Sequence, residues 1–84
     1  MTEIALDPTR LRRLQWRCRR GLLENDLVLA RFLDARGGAL TENEALQLSQ
    51  LLDLADDELW DLFSGRVEPA DPALRPLVAA LREA

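Results

Sequence analysis

The sequence predicts an all-α protein, a compact bundle of about five short helices. Apolar residues recur at spacings of three and four along most of the chain, which is the period of a helix that faces a core. Helix-start signals recur as well: Asp-Pro at 7–8 and 71–72, and Thr-x-x-Glu at 41–44. No stretch alternates at period two for long enough to form a strand. With 84 residues, we expect a single domain, 1–84, with 1–6 as a flexible lead-in.

The first helix is predicted over 8–20. Asp7 can cap its free N–H groups, and Pro8 suits the first helical position, where no N–H is needed. Gly21 is the natural stop, because glycine adopts a positive φ without a Cβ clash. One side of this helix is a narrow apolar stripe suited to a core, formed by Leu11, Leu14 and Cys18.

The other side of this helix is basic. Six of the eleven arginines lie there, at positions 10, 12, 13, 17, 19 and 20. Trp16 projects into the same side, so it must be either covered by another element or exposed to a partner. The arginines repel one another, which favours an anionic partner. Acids of the chain itself, at 56, 57, 58 or 61, are the alternative.

A second helix is predicted over 22–35 and is ended by Gly37 and Gly38. Its expected core face is Leu22, Leu29, Phe32 and Leu33, widened by Leu27 and Val28. The capping box Thr41 to Glu44 begins a third helix, 42–54. Its inward residues are Ala45, Leu48, Leu51 and Leu52, with Ala55 as a further candidate.

Asp56 is predicted to cap a fourth helix, 57–63, closed by Ser64 and Gly65. Its apolar face is Leu59, Trp60 and Phe63. After an extended connection, Asp71 and Pro72 start a last helix over 72–82, whose inward residues are Leu74, Leu77, Val78 and Leu81.

Composition excludes several chemistries. The chain has no histidine and one cysteine, so His-based zinc sites, Ser-His-Asp or Cys-His catalysis and an internal disulfide are ruled out. We therefore expect no metal site and no enzyme. Residues 1–36 carry eight arginines and five acids, whereas 37–84 carry three arginines and ten acids. A basic front joined to an acidic back favours an oriented protein partner over nucleic acid.

The N-terminus and the hydropathy predict a soluble, cytoplasmic protein that does not enter the membrane. We also expect a monomer. The first eight residues fit neither a secretory leader nor a transit peptide, and no segment approaches 18 consecutive apolar residues.

The corner between the first two helices brings together Arg20, Gly21 and Glu24, one cation and one anion beside an exposed backbone. A surface ion pair next to a helix-ending glycine would explain the spacing alone. A wider motif, W-x-C-R-R-G-x-x-E-x-D, surrounds this corner at Trp16, Cys18, Arg19, Arg20, Gly21, Glu24 and Asp26.

This motif resembles the signature of the succinate dehydrogenase assembly factors, small helper proteins that promote covalent attachment of FAD to flavoprotein subunits. The resemblance continues through 40–71, which includes L-L-x-x-x-D-D-x-L-W. It departs at Leu23, where related sequences often have a basic or polar residue, so contacts at the rim of the site can differ.

The resemblance implies a non-catalytic assembly factor that binds the flavoprotein subunit of succinate dehydrogenase or of fumarate reductase. The partner-binding residues it implies are Arg20, Gly21 and Glu24, with Trp16, Arg17, Arg19 and Asp26 alongside. No tightly bound cofactor is expected. The FAD belongs to the partner, and the sequence leaves open whether this chain contacts it, because it has no phosphate-cradling glycine loop.

One alternative function competes with this one, and two further residues have structural expectations. An antitoxin-like or nucleic-acid-binding regulator would use the basic first helix with Trp16 as a stacking residue, although an isoelectric point near 4.7 argues against it. Trp60 is expected to pack in the core. Cys18 is expected to be a small buried hydrophobe and not a redox centre.

Overall fold

The part of the chain that the structure describes folds into five α-helices joined by short connections. The structure is a computed structural model and describes residues 6–36 and 39–84. The helices are α1 (Pro8–Arg17), α2 (Leu23–Arg36), α3 (Glu42–Leu52), α4 (Asp56–Phe63) and α5 (Arg75–Glu83), with a 3₁₀ turn at Pro72–Leu74. Helix α2 packs against α4 and α5, α1 packs against α3, and α5 also contacts α3 and α4. The all-α prediction is therefore confirmed.

Three of the four predicted helix starts have the expected caps. The Asp7 carboxylate accepts a hydrogen bond from the N–H of Thr9 at 2.9 Å. Asp71 accepts one from Ala73 at 3.0 Å. At the start of α3, Thr41 Oγ1 accepts from the N–H of Glu44, whose carboxylate accepts from the N–H of Thr41 in return. These local signals therefore predict three helix starts correctly.

The start of α4 differs from the prediction. Asp56 is not the cap but the first helical residue, and Ala55 occupies the cap position without a side-chain hydrogen bond. The N–H of Ala55 donates to the Glu58 carboxylate at 3.4 Å. The Asp56 carboxylate instead binds Arg20 at 2.6 Å, so a long-range ion pair has replaced the predicted local cap.

Two helix ends lie earlier than predicted. Helix α1 ends at Arg17, not at residue 20, because the N–H of Arg19 turns to the carbonyl of Trp16 at 3.1 Å in a 3₁₀ bond. Helix α3 ends at Leu52, not at residue 54, and the N–H of Leu54 likewise binds the carbonyl of Leu51 at 3.0 Å. In both cases the α-helix ends early because the following turn has 3₁₀ hydrogen bonds.

The predicted last helix is divided in two. A continuous helix from residue 72 would need the N–H of residue 76 to bind the carbonyl of Pro72, and Pro76 has no N–H. The N–H of Arg75 binds that carbonyl instead, which makes a 3₁₀ turn, and α5 then runs from Arg75 to Glu83.

A single cluster of apolar side chains forms the core. Its most deeply buried members are Leu29, Phe32, Leu40, Leu48, Leu51, Leu59, Val78 and Leu81. Trp60 is half-buried against the cluster. Leu27, predicted to widen the core face of α2, is 44% exposed, and Ala55 is also exposed, so both assignments were wrong.

Leu6 corrects the prediction of a loose lead-in at its last residue. Its side chain is buried and its N–H donates to the carbonyl of Leu40 at 2.9 Å. An apolar side chain beside the core and a satisfied backbone group hold this residue in place. Residues 1–5 and the predicted stop at Gly37 and Gly38 lie outside the described residues.

None of the helices in the described ranges combines the length and the hydrophobicity that a membrane crossing requires.

Candidate functional site

Residues 18–22 connect α1 to α2 and form what we call the α1–α2 bend. Gly21 lies at its centre with φ of +102°, a conformation that side chains with a Cβ rarely adopt. A Cβ built at Gly21 would meet nothing within 4 Å. The glycine is therefore required by the backbone conformation, while the space outside it is open to another molecule.

The Arg20 side chain is turned into its own chain. Its Nε donates to Asp56 Oδ1 at 2.6 Å, its Nη1 donates to the carbonyl of Leu52 at 2.5 Å, and its Nη2 donates to the carbonyl of Leu54. These two carbonyls lie at and just after the C-terminal end of α3, where helical partners are missing. Only 16% of the side chain is exposed. The resemblance implied that Arg20 contacts a partner, whereas its guanidinium is bound within its own chain.

Asp26 holds the bend from the other side. Its carboxylate accepts hydrogen bonds from the backbone N–H groups of Arg20 at 2.9 Å and Gly21 at 3.4 Å. The sequence had placed Asp26 beside the site as a partner contact, whereas the structure gives it this internal role. The N–H groups of Arg20 and Gly21 are therefore not free to bind a phosphate.

Asn25 lies beneath the bend and was missed from the sequence. It has no exposed surface, and its Nδ2 donates to the backbone carbonyl of Asp56 at 2.9 Å. Its Oδ1 is buried without a partner among the described residues. Its position could have been inferred from spacing, because Asn25, Leu29 and Phe32 share one helical face.

Glu24 and Trp16 face outward near the bend. Glu24 is exposed in the first turn of α2, as predicted, and makes no ion pair among the described residues. Trp16 is 68% exposed, and the Arg19 guanidinium carbon lies 5.2 Å from its ring centroid, in cation–π range. Leu23 in the first turn of α2 is 66% exposed. This mixed apolar and charged surface has the composition of an interaction site.

A groove of about 560 Å³ runs between α1 and α2 beside this surface. Arg19 and Leu27 are among the residues that line it, together with Asp26 at the bend. The exposure of Leu27 follows from this position, since it faces the groove and not the core.

Three arginines of the predicted basic stripe are paired with acids of the same chain. Arg10 binds Glu42 at 2.6 Å, Arg17 binds Asp53 at 2.9 Å, and Arg20 binds Asp56. Within 6–36 and 39–84, no carboxylate lies within ion-pair distance of Arg12, Arg13 or Arg19. The basic face is thus partly neutralised, and these three arginines, two on α1 and one in the bend, are exposed.

Cys18 is buried where α1 ends, as predicted. It is 6% exposed, and burial raises the pKa of its thiol from 9.0 to about 11, against the opposing effect of Arg17 and Arg20. A thiol with this pKa is almost entirely protonated near neutral pH, and the thiolate is the reactive form. No three histidine, cysteine, aspartate or glutamate residues in the described part of the chain are grouped so as to hold a metal ion.

We expect native Cys18 to resist alkylation by iodoacetamide at pH 8, because the thiol is both buried and protonated. Mass spectrometry should show full labelling in guanidinium chloride and little without it. The raised folded pKa stabilises the fold below about pH 9, and this contribution is lost as the pH rises towards 11. Rapid native labelling at pH 8 would contradict this assignment.

Comparison with known proteins identifies the relationship. The family model described as "Flavinator of succinate dehydrogenase" matches residues 12–84, which include the whole bend and all seven predicted partner-binding positions from Trp16 to Asp26. The chain belongs to this family. The resemblance inferred from the motif is therefore confirmed.

Individual flavinator-family relatives match over most of their length. The FAD assembly factor SdhE of Ralstonia nicotianae is 41% identical over 80 residues, covering 90% of this chain and 84% of the relative. That of Methylococcus capsulatus is 43% identical over 70 residues, covering 83% and 84%. That of Coxiella burnetii is 34% identical over 77 residues, covering 92% and 94%.

Proposed function

We propose that this chain binds the flavoprotein subunit of succinate dehydrogenase and promotes the covalent attachment of FAD to it. Family membership supports the activity, since the family is named for it. The observation that carries the proposal in the structure is the α1–α2 bend, where Gly21 faces open space beside an outward Glu24. The site is thus a preformed protein-binding surface and not a cavity for a substrate.

The contacting groups that we propose are those with free surface. Gly21 lets the partner backbone approach closely, and Glu24 accepts a hydrogen bond or a cation from the partner. Trp16, with Arg19 over its ring, supplies a large rigid apolar contact of the kind that dominates interface energies. Arg17 extends this surface, although Asp53 shares its charge.

The chain acts as a helper without chemistry of its own. It has no histidine, so a histidine that accepts the flavin comes from the partner. The chain contributes by holding the partner so that its residue and its flavin meet in reactive geometry, which is the proximity effect. Such a role needs binding energy and a rigid surface, and the hydrogen bonds that hold the bend support its rigidity.

FAD is held by the partner in this proposal. The N–H groups of Arg20 and Gly21 already donate to Asp26 and do not cradle a pyrophosphate. The same surface would serve fumarate reductase if its flavoprotein presents the same features. We further propose that the chain works as a monomer in the cytoplasm.

The nucleic-acid-binding alternative is weakened by ion pairs within the chain. Arg10 and Arg17, two members of the predicted stripe, are paired with Glu42 and Asp53. Each pair reduces the field that would attract phosphates. The net charge of −4 acts in the same direction.

The direct test is co-expression of the flavoprotein subunit with and without this chain, in a host that lacks a flavinator of its own. Covalently bound flavin is read as fluorescence of the subunit on a denaturing gel. We expect strong fluorescence only when the chain is present, for succinate dehydrogenase and, in a parallel arm, for fumarate reductase. Equal fluorescence with and without the chain in both arms would reject the proposed function.

A further inference from the structure

We propose that Asp56 is a positioning residue for partner binding. With Asp26 it clamps the α1–α2 bend in the conformation that the flavoprotein recognises, and Arg20 serves this clamp instead of contacting the partner. The inference rests on the proposed function and assigns roles within that site. It divides the bend into groups that shape it and groups that touch the partner.

The first half of the clamp ties the bend to the end of α3, to the loop that follows and to the start of α4. Asp56 Oδ1 lies 2.6 Å from Arg20 Nε, and the carbonyls of Leu52 and Leu54 accept hydrogen bonds from the other two nitrogens of the guanidinium. A guanidinium is a planar fork, so bonds along three directions fix its position and orientation together. Little of this side chain faces solvent, which leaves little of it for a partner.

The second half ties the bend to α2. Asp26 accepts from the backbone N–H groups of Arg20 and Gly21. Arg20 is therefore held by its side chain from one direction and by its backbone from the other. Glycine has the least restricted backbone of all residues, so its own conformational preference does not keep Gly21 at its positive φ. The hydrogen bonds from the bend to Asp26 supply that restraint.

Asn25 supports the clamp from below. Its side chain is fully buried and donates to the Asp56 backbone carbonyl at 2.9 Å, with a longer contact of 3.4 Å to Asp56 Oδ1. This links the start of α4 to α2 directly beneath the bend. Asp56 is thus fixed before any partner arrives, and a preorganised surface binds with less loss of conformational freedom.

The clamp predicts that residues that shape the bend and residues that contact the partner respond differently to mutation. A direct contact of Asp56 with the partner would not produce this difference. Asp56 and Asp26 shape the bend, whereas Glu24 and Trp16 remain exposed for the partner. A variant without the Asp56 charge keeps every contacting group but presents them from a looser bend. Its affinity should fall, and a higher concentration of the variant should restore flavinylation.

The test compares Asp56→Asn with Asp57→Asn, a matched control at the next position, which is exposed and makes no side-chain bond to the bend. Hydrogen exchange of the free chain should be faster at the Arg20 and Gly21 amides in Asp56→Asn, with core amides such as that of Leu48 unchanged. Affinity for the flavoprotein should fall about tenfold. Flavinylation should recover at saturating concentrations. Asp57→Asn should behave like the wild type.

A double-mutant cycle of Asp56→Asn with Arg20→Lys distinguishes the clamp from direct contact. If both residues act as one clamp, the double variant binds no more weakly than the weaker single variant. Additive losses, or wild-type affinity of Asp56→Asn, would overturn the proposal.

Should Asp56→Asn be unfolded at the assay temperature, Asp26→Asn replaces it, with the same expected exchange and affinity changes. A wild-type chain without effect on the flavoprotein rejects the proposed function, whereas a full effect retained by Asp56→Asn at low concentration rejects the clamp alone.

Discussion

Gly21→Arg is expected to abolish flavinylation of the partner while the chain stays folded. The residue has φ of +102°, so any side chain there costs roughly 1–2 kcal/mol of backbone strain. Apart from the two neighbouring residues, no atom of the described residues lies within 4 Å of a Cβ built there. The added side chain therefore projects into the space that the partner must occupy. The measurement is flavin fluorescence of the co-expressed flavoprotein, with circular dichroism of the purified variant.

Gly65→Arg is the matched control. Gly65 also has a positive φ, +86°, and open space around its Cβ position, but it follows the C-terminal end of α4, whereas Arg20 binds the N-terminal end of that helix. The two variants carry similar strain and the same added charge. Loss of flavinylation in both would mean that strain alone is responsible, and retention in both would remove the bend from the interface.

Phe32→Ala is expected to destabilise the fold by about 3–5 kcal/mol, the cost of emptying the site of a buried aromatic ring. Phe32 is 1% exposed at the centre of α2, and its ring is also covered by the Arg36 guanidinium at 5.1 Å. Chains of this size have a total stability of roughly 4–13 kcal/mol. Thermal denaturation followed by circular dichroism should show a midpoint lower by more than about 10 °C.

Leu27→Ala serves as the comparison on the same helix. Leu27 is 44% exposed, so its truncation should change stability by less than about 1 kcal/mol. A similar loss in both variants would contradict the assignment of Leu27 to the groove face. If Leu27→Ala weakens partner binding at unchanged stability, the groove beside the bend belongs to the interface.

Helix starts could be predicted because their signals are local. Asp7, Thr41 and Asp71 each bind an N–H two or three residues away, and such bonds follow from residue type and spacing. The α4 start failed for the complementary reason. Asp56 could equally well have capped the helix locally, but its carboxylate binds the guanidinium of Arg20, 36 residues earlier in the chain.

The composition of the site could be predicted, but the direction of its side chains could not. The motif located Arg20, Gly21 and Glu24 at one corner, and the structure places them there. Whether an arginine points outward depends on what the fold brings beside it, and here it brings acceptors from Leu52 to Asp56. No pairing over that distance can be inferred from the spacing of the residues alone.

The faces of α2 show a further limit. Its apolar residues are spread around the helix, so periodicity did not separate the core side from the groove side. Leu27 was assigned inward because it is apolar, and Asn25 was overlooked because it is polar. Tertiary packing decided both positions, since α4 lies over Asn25 and leaves Leu27 uncovered.

The positive φ of Gly21 has a consequence for how the family motif should be interpreted in other chains. Its arginine and glycine are explained by the conformation of the chain itself, and they would be retained by any relative that keeps this turn, whatever it binds. The glutamate three positions later is exposed and makes no ion pair among the described residues. A homologue that has lost only that glutamate would be the more informative sign of a changed partner.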